Sequence, residues 1–472
     1  MGDRTYMKLL RHVLFPLVLV TAISSSSFAQ VAPAEGDFSK QKARPVVEWA
    51  RNGVIYEIWE RGFSPAGDFN SITARLDDLR QTGVTILWLM PVNPIGVEGK
   101  KGGVGSPYAV RDYRAVNPAY GNPEDLKRLV REAHKRDMKV ILDVVYNHSA
   151  WDNVLVKKHP EYYHRDANGK IKYPQDWTDV AWLDYSNPKL REYMIDVMRY
   201  WVKEYDIDGF RCDVASMVPT DFWEQARPEI EKIKPSIFML AEADKPELMV
   251  KAFDSDYSWG VMHAINDTFQ GKKPATEVRK QWESERARFP QGSLHMRVAD
   301  DHDELRLIAR VGDRASLAAQ ALVYTLDGLP LVYNGMEVGD TAESADPALF
   351  EKVPITWGIA RKRPAFPRFY REMAKLRKKN AAFTHGDLTW LNNSYEQHVI
   401  SYLRSTGSNG IAVVVNTSGM PITVAVNAPH DRWLDVTPDL SKDAVDAANA
   451  PVSLKNIALE PWGFRILRKA AN

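Results

Sequence analysis

Two hydrophobic periods divide the chain. From residue 54 to residue 384, short apolar runs alternate with segments whose apolar positions recur every three to four residues, the spacing of one helix face. Val54–Ile58, Val84–Met90 and "MKVILDVV" (138–145) read as buried strands. Between them, 72–82 reads as a helix. The stretch "PEDLKRLVREAHKRD" reads as an amphipathic one, with Leu126, Leu129, Val130 and Ala133 on one side. The alternation continues through helix 188–205, strand 209–213, helix 221–233, strand 237–241, strand 295–299, helix 315–326 and strand 331–334.

This order predicts a parallel sheet with helical crossovers, closed as an eight-fold barrel or open and doubly wound. No Gly-rich phosphate loop follows an early strand, which favours the barrel. Residues 148–185 interrupt the pattern after the third strand as a polar, aromatic, loop-rich insert. Beyond residue 384 the period falls to two. "HVISYLR", "GIAVVVN", "PITVAVN" and "GFRILR" predict a C-terminal antiparallel β domain. There is no internal repeat.

The N-terminus follows neither period. Arg4, Lys8 and Arg11 precede an apolar run from Val13 to Ile23, then a Ser-rich stretch and Ser27-Phe28-Ala29. A positive region, a short apolar core and small residues at a cut site predict a signal peptide over 1–29, hence export to the periplasm or medium. The run is too short, and contains Pro16, for a membrane anchor. Residues 30–47, rich in Ala, Pro, Lys and Gly, read as a poorly ordered linker. The expected division is therefore a leader (1–29), a linker (30–47), a catalytic barrel (48–384, with the insert 148–185) and a C-terminal β domain (385–472).

Composition narrows the chemistry. The 472 residues are 44% hydrophobic, and 62 Lys+Arg nearly cancel 61 Asp+Glu, so no strong field favours nucleic acid. One cysteine excludes an internal disulfide. The 14 Trp and 19 Tyr supply flat faces suited to sugar rings as well as to a core. His159 and His164 in "HPEYYH" stand five apart, not the four that align two zinc ligands on a helix, and HExxH and CxxC are absent.

A barrel carries its reactive groups at the C-terminal ends of its strands. There the sequence places Asp143 and His148 after the third strand, Arg211 and Asp213 on the fourth, Glu242 on the fifth, and His302 and Asp303 after the seventh. Strand alternation projects Arg211 and Asp213 to one face and Cys212 to the other, where the thiol packs as a small hydrophobe. Pairing with Arg211 predicts an ionised Asp213. Glu242, after the apolar "IFML", is expected in a drier setting that raises its pKa. One ionised carboxylate and one carboxylic acid are what retaining glycoside hydrolysis uses.

The motifs carrying these residues resemble the α-amylase family of glycoside hydrolases over nearly the whole chain after the leader. "DVVYNH" (143–148), "GFRCDVAS" (209–216), "MLAEA" (239–243) and "ADDHDE" (299–304) resemble its four signature regions in order, and "GSPYAVRDY" (105–113) its sugar-stacking loop. The "DVA" after Cys212 is nearer the neopullulanase and maltogenic-amylase branch than the starch-liquefying enzymes. The resemblance implies a (β/α)8 TIM barrel, a small domain B after strand three and a C-terminal antiparallel β-sandwich. It implies Asp213 as nucleophile, Glu242 as acid/base and Asp303 as the transition-state-stabilising carboxylate. Tyr108, His148, Arg211 and His302 would bind sugar or orient the nucleophile, with Asp143 in support. It also suggests calcium, with Asn147 and Asp184 as oxygen donors; no organic cofactor is expected.

Two departures stand out. Asp301 replaces the usual Asn before His302, and Ser216-Met217 replace the Lys-His pair that many α-amylases carry after the nucleophile. The function expected is retaining hydrolysis of α-glucosidic bonds, mainly α-1,4, in maltooligosaccharides or related α-glucans. The alternatives are an α-glucan transglycosylase or isomerising enzyme, and a non-catalytic glucan-binding protein.

Overall fold

Eight parallel strands close on themselves in chain order: β1 (Ile55–Ile58), β2 (Ile86–Leu89), β3 (Lys139–Val144), β4 (Gly209–Cys212), β5 (Phe238–Ala241), β6 (Ser255–Tyr257), β7 (Leu294–Arg297) and β8 (Leu329–Tyr333). β8 pairs back onto β1, Leu331 beside Ile55. The computed structural model describes residues 36–342, 348–429, 432–441 and 451–470. The expected signal peptide (1–29) lies outside them. Among the described residues no helix is long and apolar enough to cross a membrane.

The period-two alternation of the strands sorts the core into two shells. Ile55, Ile86, Trp88, Ile141, Phe238, Leu240, Met296 and Leu331 fill the barrel axis. Tyr56, Leu87, Val140, Phe210, Met239 and Val332 face outward, where the surrounding helices cover them. Cys212 is in this outer shell, fully buried, and burial pushes its thiol well up, as expected for an inert residue. Gly209 is required by close approach: a Cβ there would stand 2.4 Å from the Phe238 carbonyl oxygen.

The helix Pro123–His134 shows how locally the layout is encoded. Asn122 caps it and Asp125 returns the bond to the Asn122 amide, a reciprocal capping box. Leu126, Leu129, Val130 and Ala133 then bury one face. Each large aliphatic side chain in that stripe contributes about 1.5–3 kcal/mol of burial. The helix Pro188–Tyr205 matches its expected bounds. The helix expected over 72–82 is instead two, Phe69–Ala74 and Leu76–Gln81, broken at Arg75, whose φ of −106° leaves the helical region.

The insert is fastened at its ends by a two-stranded ribbon, His148–Ala150 against Val180–Trp182. The C-terminal strands form a six-stranded sheet faced by the small ribbon Ile422–Val424 with Ile457–Leu459. Val399, Val414, Val424, Trp433 and Leu459 share the core between them. This is the expected sandwich.

Residues 36–47, read above as a loose linker, are bonded to the barrel. Ala43 donates to the Gln291 carbonyl (2.9 Å), and Arg44 reaches Asp254 (3.3 Å) and Glu231. Val46, Val47 and Trp49 pack beneath the axial shell and close the barrel floor. Their apolar side chains cover that floor and the hydrogen bonds fasten the segment, contacts that composition alone does not display.

Candidate active site at the C-terminal end of the barrel

At the C-terminal ends of β1 to β6, the inward positions change from apolar to polar: Glu57 on β1, Trp88 on β2, Asp143 on β3, Arg211 on β4, and Tyr257 on β6. Asp213 and Glu242 continue the same alternation one residue past β4 and β5. Register places Asp143 beside Arg211. Arg211 is the centre of the site and is fully buried. Its Nη1 donates to Asp143 Oδ1 (2.9 Å) and Asp213 Oδ1 (3.0 Å). Its Nη2 lies 2.8 Å from Glu242 Oε2, a charge contact without hydrogen-bond alignment. The guanidinium is sandwiched among the faces of Trp88, Tyr108 and Tyr257, 5.2–5.7 Å from their centroids.

Asp213 and Glu242 are 6% and 5% exposed. Burial, then the charge of Glu242, raises Asp213 well above the ordinary carboxylate value, against the pull of Arg211. Burial raises Glu242 too, against Arg211 and the Val214 amide. The expected division, an ionised Asp213 and a drier Glu242, is corrected here: one guanidinium serves both, so it does not separate them. Both carboxyls are held above the ordinary carboxylate range by burial, with Arg211 pulling each of them down.

Val214 holds a left-handed conformation (φ 35°, ψ 48°), a position that strains a β-branched side chain. The turn it makes aims its N–H at Glu242 Oε2 (2.6 Å). Ser216 and Met217 follow on the single turn Ala215–Met217, and Gln175 of the insert donates to Met217 Sδ (3.5 Å).

On the other wall, Tyr108 donates its hydroxyl to Asp143 Oδ2 (3.0 Å) and meets His302 Nε2 at 2.7 Å. The two rings stack, 5.5 Å apart and 22° from parallel. His302 Nε2 also lies 3.2 Å from Asp303 Oδ2. Asp303 keeps 43% of its side chain exposed, facing the mouth. Its partial burial raises its pKa, but the neighbouring imidazole outweighs this and holds Asp303 below the usual range.

Asp301, 2% exposed, accepts the amides of Asp303 (3.0 Å) and Glu304 (3.1 Å) on Oδ1. Burial, with Glu57 and Asp303 nearby and against the pull of His302, raises it well above the carboxylate range, and its Oδ1 makes the two amide contacts that an Asn oxygen would make. Asp301→Asn is accordingly expected to keep kcat/KM within about threefold, under ~1 kcal/mol. Steady-state kinetics of the variant measure this directly.

Of the candidate residues, Asp143, Arg211, Asp213, Glu242, Tyr108, His302 and Asp303 come together. His148 stands at the start of the insert, next to Tyr108. Its buried ring meets the Tyr108 main chain and packs edge-on to Trp177, and burial lowers its pKa to about 4. Asn147 turns its amide to His148 Nδ1 (3.2 Å), whereas Asp184 accepts the Ser186 amide (2.9 Å). No group of three His, Cys, Asp or Glu that could hold a metal occurs among the described residues. Sequence reasoning missed Glu57, Trp88 and Tyr257. Trp88 Nε1 donates to Asp143 Oδ2 (3.2 Å), and Glu57 Oε1 lies 2.5 Å from His302 Nδ1.

The α-amylase catalytic-domain pattern matches residues 25–400. The chain is 34% identical to a noncanonic maltogenic α-amylase from Thermotoga neapolitana, whose crystal structure superposes with a TM-score of 0.80 over 90% of this chain and 100% of that one. It is 27% identical over 443 residues to an α-amylase of Haloarcula japonica, covering 89% of this chain and 63% of that protein, less than two thirds of its length. Neopullulanase 2 of Thermoactinomyces vulgaris is also 27% identical, over 82% of this chain and 74% of its own.

Proposed function

The chain belongs to the α-amylase family of glycoside hydrolases, and from that premise we propose that it hydrolyses α-glucosidic bonds, mainly α-1,4, of maltooligosaccharides with retention of configuration. The observation that carries this is the contact of Asp213 and Glu242, from adjacent strand ends, with the two terminal nitrogens of Arg211. In this reading Asp213 attacks the anomeric carbon while Glu242 protonates the departing glycosidic oxygen. The bond formed is a glycosyl ester on Asp213, and the bond broken is the glycosidic C–O. Glu242, now ionised, takes a proton from the incoming water, which releases the sugar and restores both groups.

The remaining side chains act on charge and position. Positive charge developing on the ring carbon and oxygen is met by Asp213 and the ionised Asp303. Tyr108 supplies a flat face beside them, and Asp143, through Arg211 and Tyr108, fixes both. Transfer to a sugar hydroxyl uses the same ester and differs only in the acceptor. The soft Met217–Gln175 contact on the rim gives that alternative a structural footing. A purely binding role would make the reacting carboxyls dispensable, and the presence of Asp213, Glu242 and Asp303 together supports the catalytic reading. The basic and apolar leader supports export, and we assign the protein to the periplasm or medium on that ground.

The test is stereochemical. Proton NMR during maltotriose cleavage is expected to show the α-anomer of the new reducing end first, with free reducing sugar exceeding transfer products. A β-anomer product would overturn retention, and dominant transfer would overturn hydrolysis.

A further inference from the structure

We propose that Glu57 is a positioning residue for this reaction: from β1 it holds His302 by Nδ1, so that the ring must present Nε2–H to Asp303 and Tyr108. The inference rests on the retaining reading above and assigns a role to a side chain that never reaches the sugar. Glu57 is 0% exposed, in register with Trp88 and Tyr333 in the barrel wall. A glutamate in the axis of a barrel needs a reason, since a buried carboxylate without a partner is costly. Its Oε1 lies 2.5 Å from His302 Nδ1, and Oε2 has no hydrogen-bond partner among the described residues.

The donor count on His302 follows from the acceptors around it. Nδ1 faces the Glu57 carboxyl, which burial pushes above the ordinary range while His302 and Arg211 pull it back, so a charged ring and an ionised Glu57 support each other as an ion pair. Nε2 faces Asp303 Oδ2 at 3.2 Å and the Tyr108 hydroxyl at 2.7 Å. That hydroxyl spends its own hydrogen on Asp143, so toward His302 it accepts. Both ring nitrogens therefore meet acceptors, which makes the ring a doubly protonated imidazolium. Its surroundings agree: burial would lower His302, but Asp303 and Glu57 raise it well above its ordinary value.

The other titratable and charged groups that face the ring are Asp143, Asp301, Glu242 and, beyond Tyr108, Arg211. Trp88 and Tyr108 fix its plane. Glu57 is the one carboxylate bonded to the far nitrogen, away from the mouth. Through it the imidazolium stays charged, and the imidazolium in turn keeps Asp303 ionised and oriented for the sugar.

Two measurements test this. The kcat/KM profile of Glu57→Gln, which keeps a hydrogen-bond acceptor without the charge, is expected to lose its basic limb about one pH unit or more lower than the wild type. The loss should exceed about tenfold at pH 8 and shrink toward pH 6. A basic limb that does not move, or a loss equal at every pH, would mean a merely structural glutamate and overturn the proposal. The second measurement needs no turnover and no substitution at Glu57. Imidazole 15N NMR of the wild type, with the His302 signal assigned by its loss in His302→Gln, is expected to show both nitrogens protonated through pH 8. A signal that titrates near the ordinary histidine value of about 6.5 would overturn it. Because this reads the ring directly, its failure is distinct from a failure of the retaining mechanism.

Discussion

Asp213→Asn lowers kcat on maltotriose by about 10⁴–10⁶-fold, the scale on which removing a nucleophile acts, and lowers it as severely on an α-glucosyl fluoride. Glu242→Gln costs a similar amount on maltotriose, yet only about 10²-fold or less on the fluoride, because fluoride leaves without a proton. This contrast separates the two roles where electrostatics does not, since both carboxyls are raised and both touch Arg211. Rates on the two substrates for the two variants decide it. The reverse pattern would exchange the roles, and unchanged turnover of Asp213→Asn would remove the assignment altogether.

Arg211→Met is expected to cost both activity and stability. The guanidinium is fully buried and faces Asp143, Asp213 and Glu242. Removing one partner from a buried ion network leaves its carboxylates uncompensated, at roughly 3–5 kcal/mol. Turnover should fall by at least about 10³-fold, as for loss of a preorganised charge. The pH dependence has a definite sign. Without the cation, the folded-state pKa values of the three acids rise further above their unfolded values, so the folded state binds more protons than the unfolded one. The stability contribution is then full below the unfolded carboxyl pKa, about 4, and declines as pH rises through the raised folded values. Denaturant midpoints of the variant and the parent from pH 5 to 9 check this, and a gap that narrows with rising pH would contradict it. Arg211→Lys is expected to recover little, because one ammonium cannot reach three carboxyls in the fork geometry of a guanidinium.

How much of this was legible in the chain depended on the kind of signal. Strands β1 to β5 could be read because their apolar runs are long and their flanking helices periodic. The polar inward ends, Arg211 and Asp213 above all, followed from alternation alone. β6 could not be read: it is only Ser255-Asp256-Tyr257, fully buried but polar, and its partners supply the burial. Asp256, turned outward, is matched by His295 (2.6 Å), a contact between strands that no local pattern announces. Glu57 was hidden for a related reason. In "IYEI" it looks like a solvated position, and only closure of the barrel, which sets β1 beside β8, turns it toward His302. The protonation of Asp213 and Glu242 was misjudged because a side chain's reach is three-dimensional: Arg211 was credited to its neighbour in sequence, and it serves the next strand as well. The break at Arg75 was masked by continuous amphipathic patterning across it.

The floor of the barrel imposes an order of events on biosynthesis. Arg44 is made early, but Glu231, Asp254 and, for Ala43, Gln291 are made some 190–250 positions later. β1 likewise waits for β8 to supply Leu331 and Tyr333. Until then a nascent chain displays an unpaired strand edge and an uncovered apolar segment, both templates for misassociation. Closure by such distant pairings is slow. The earliest of the described residues to be made are therefore among the last to find their partners.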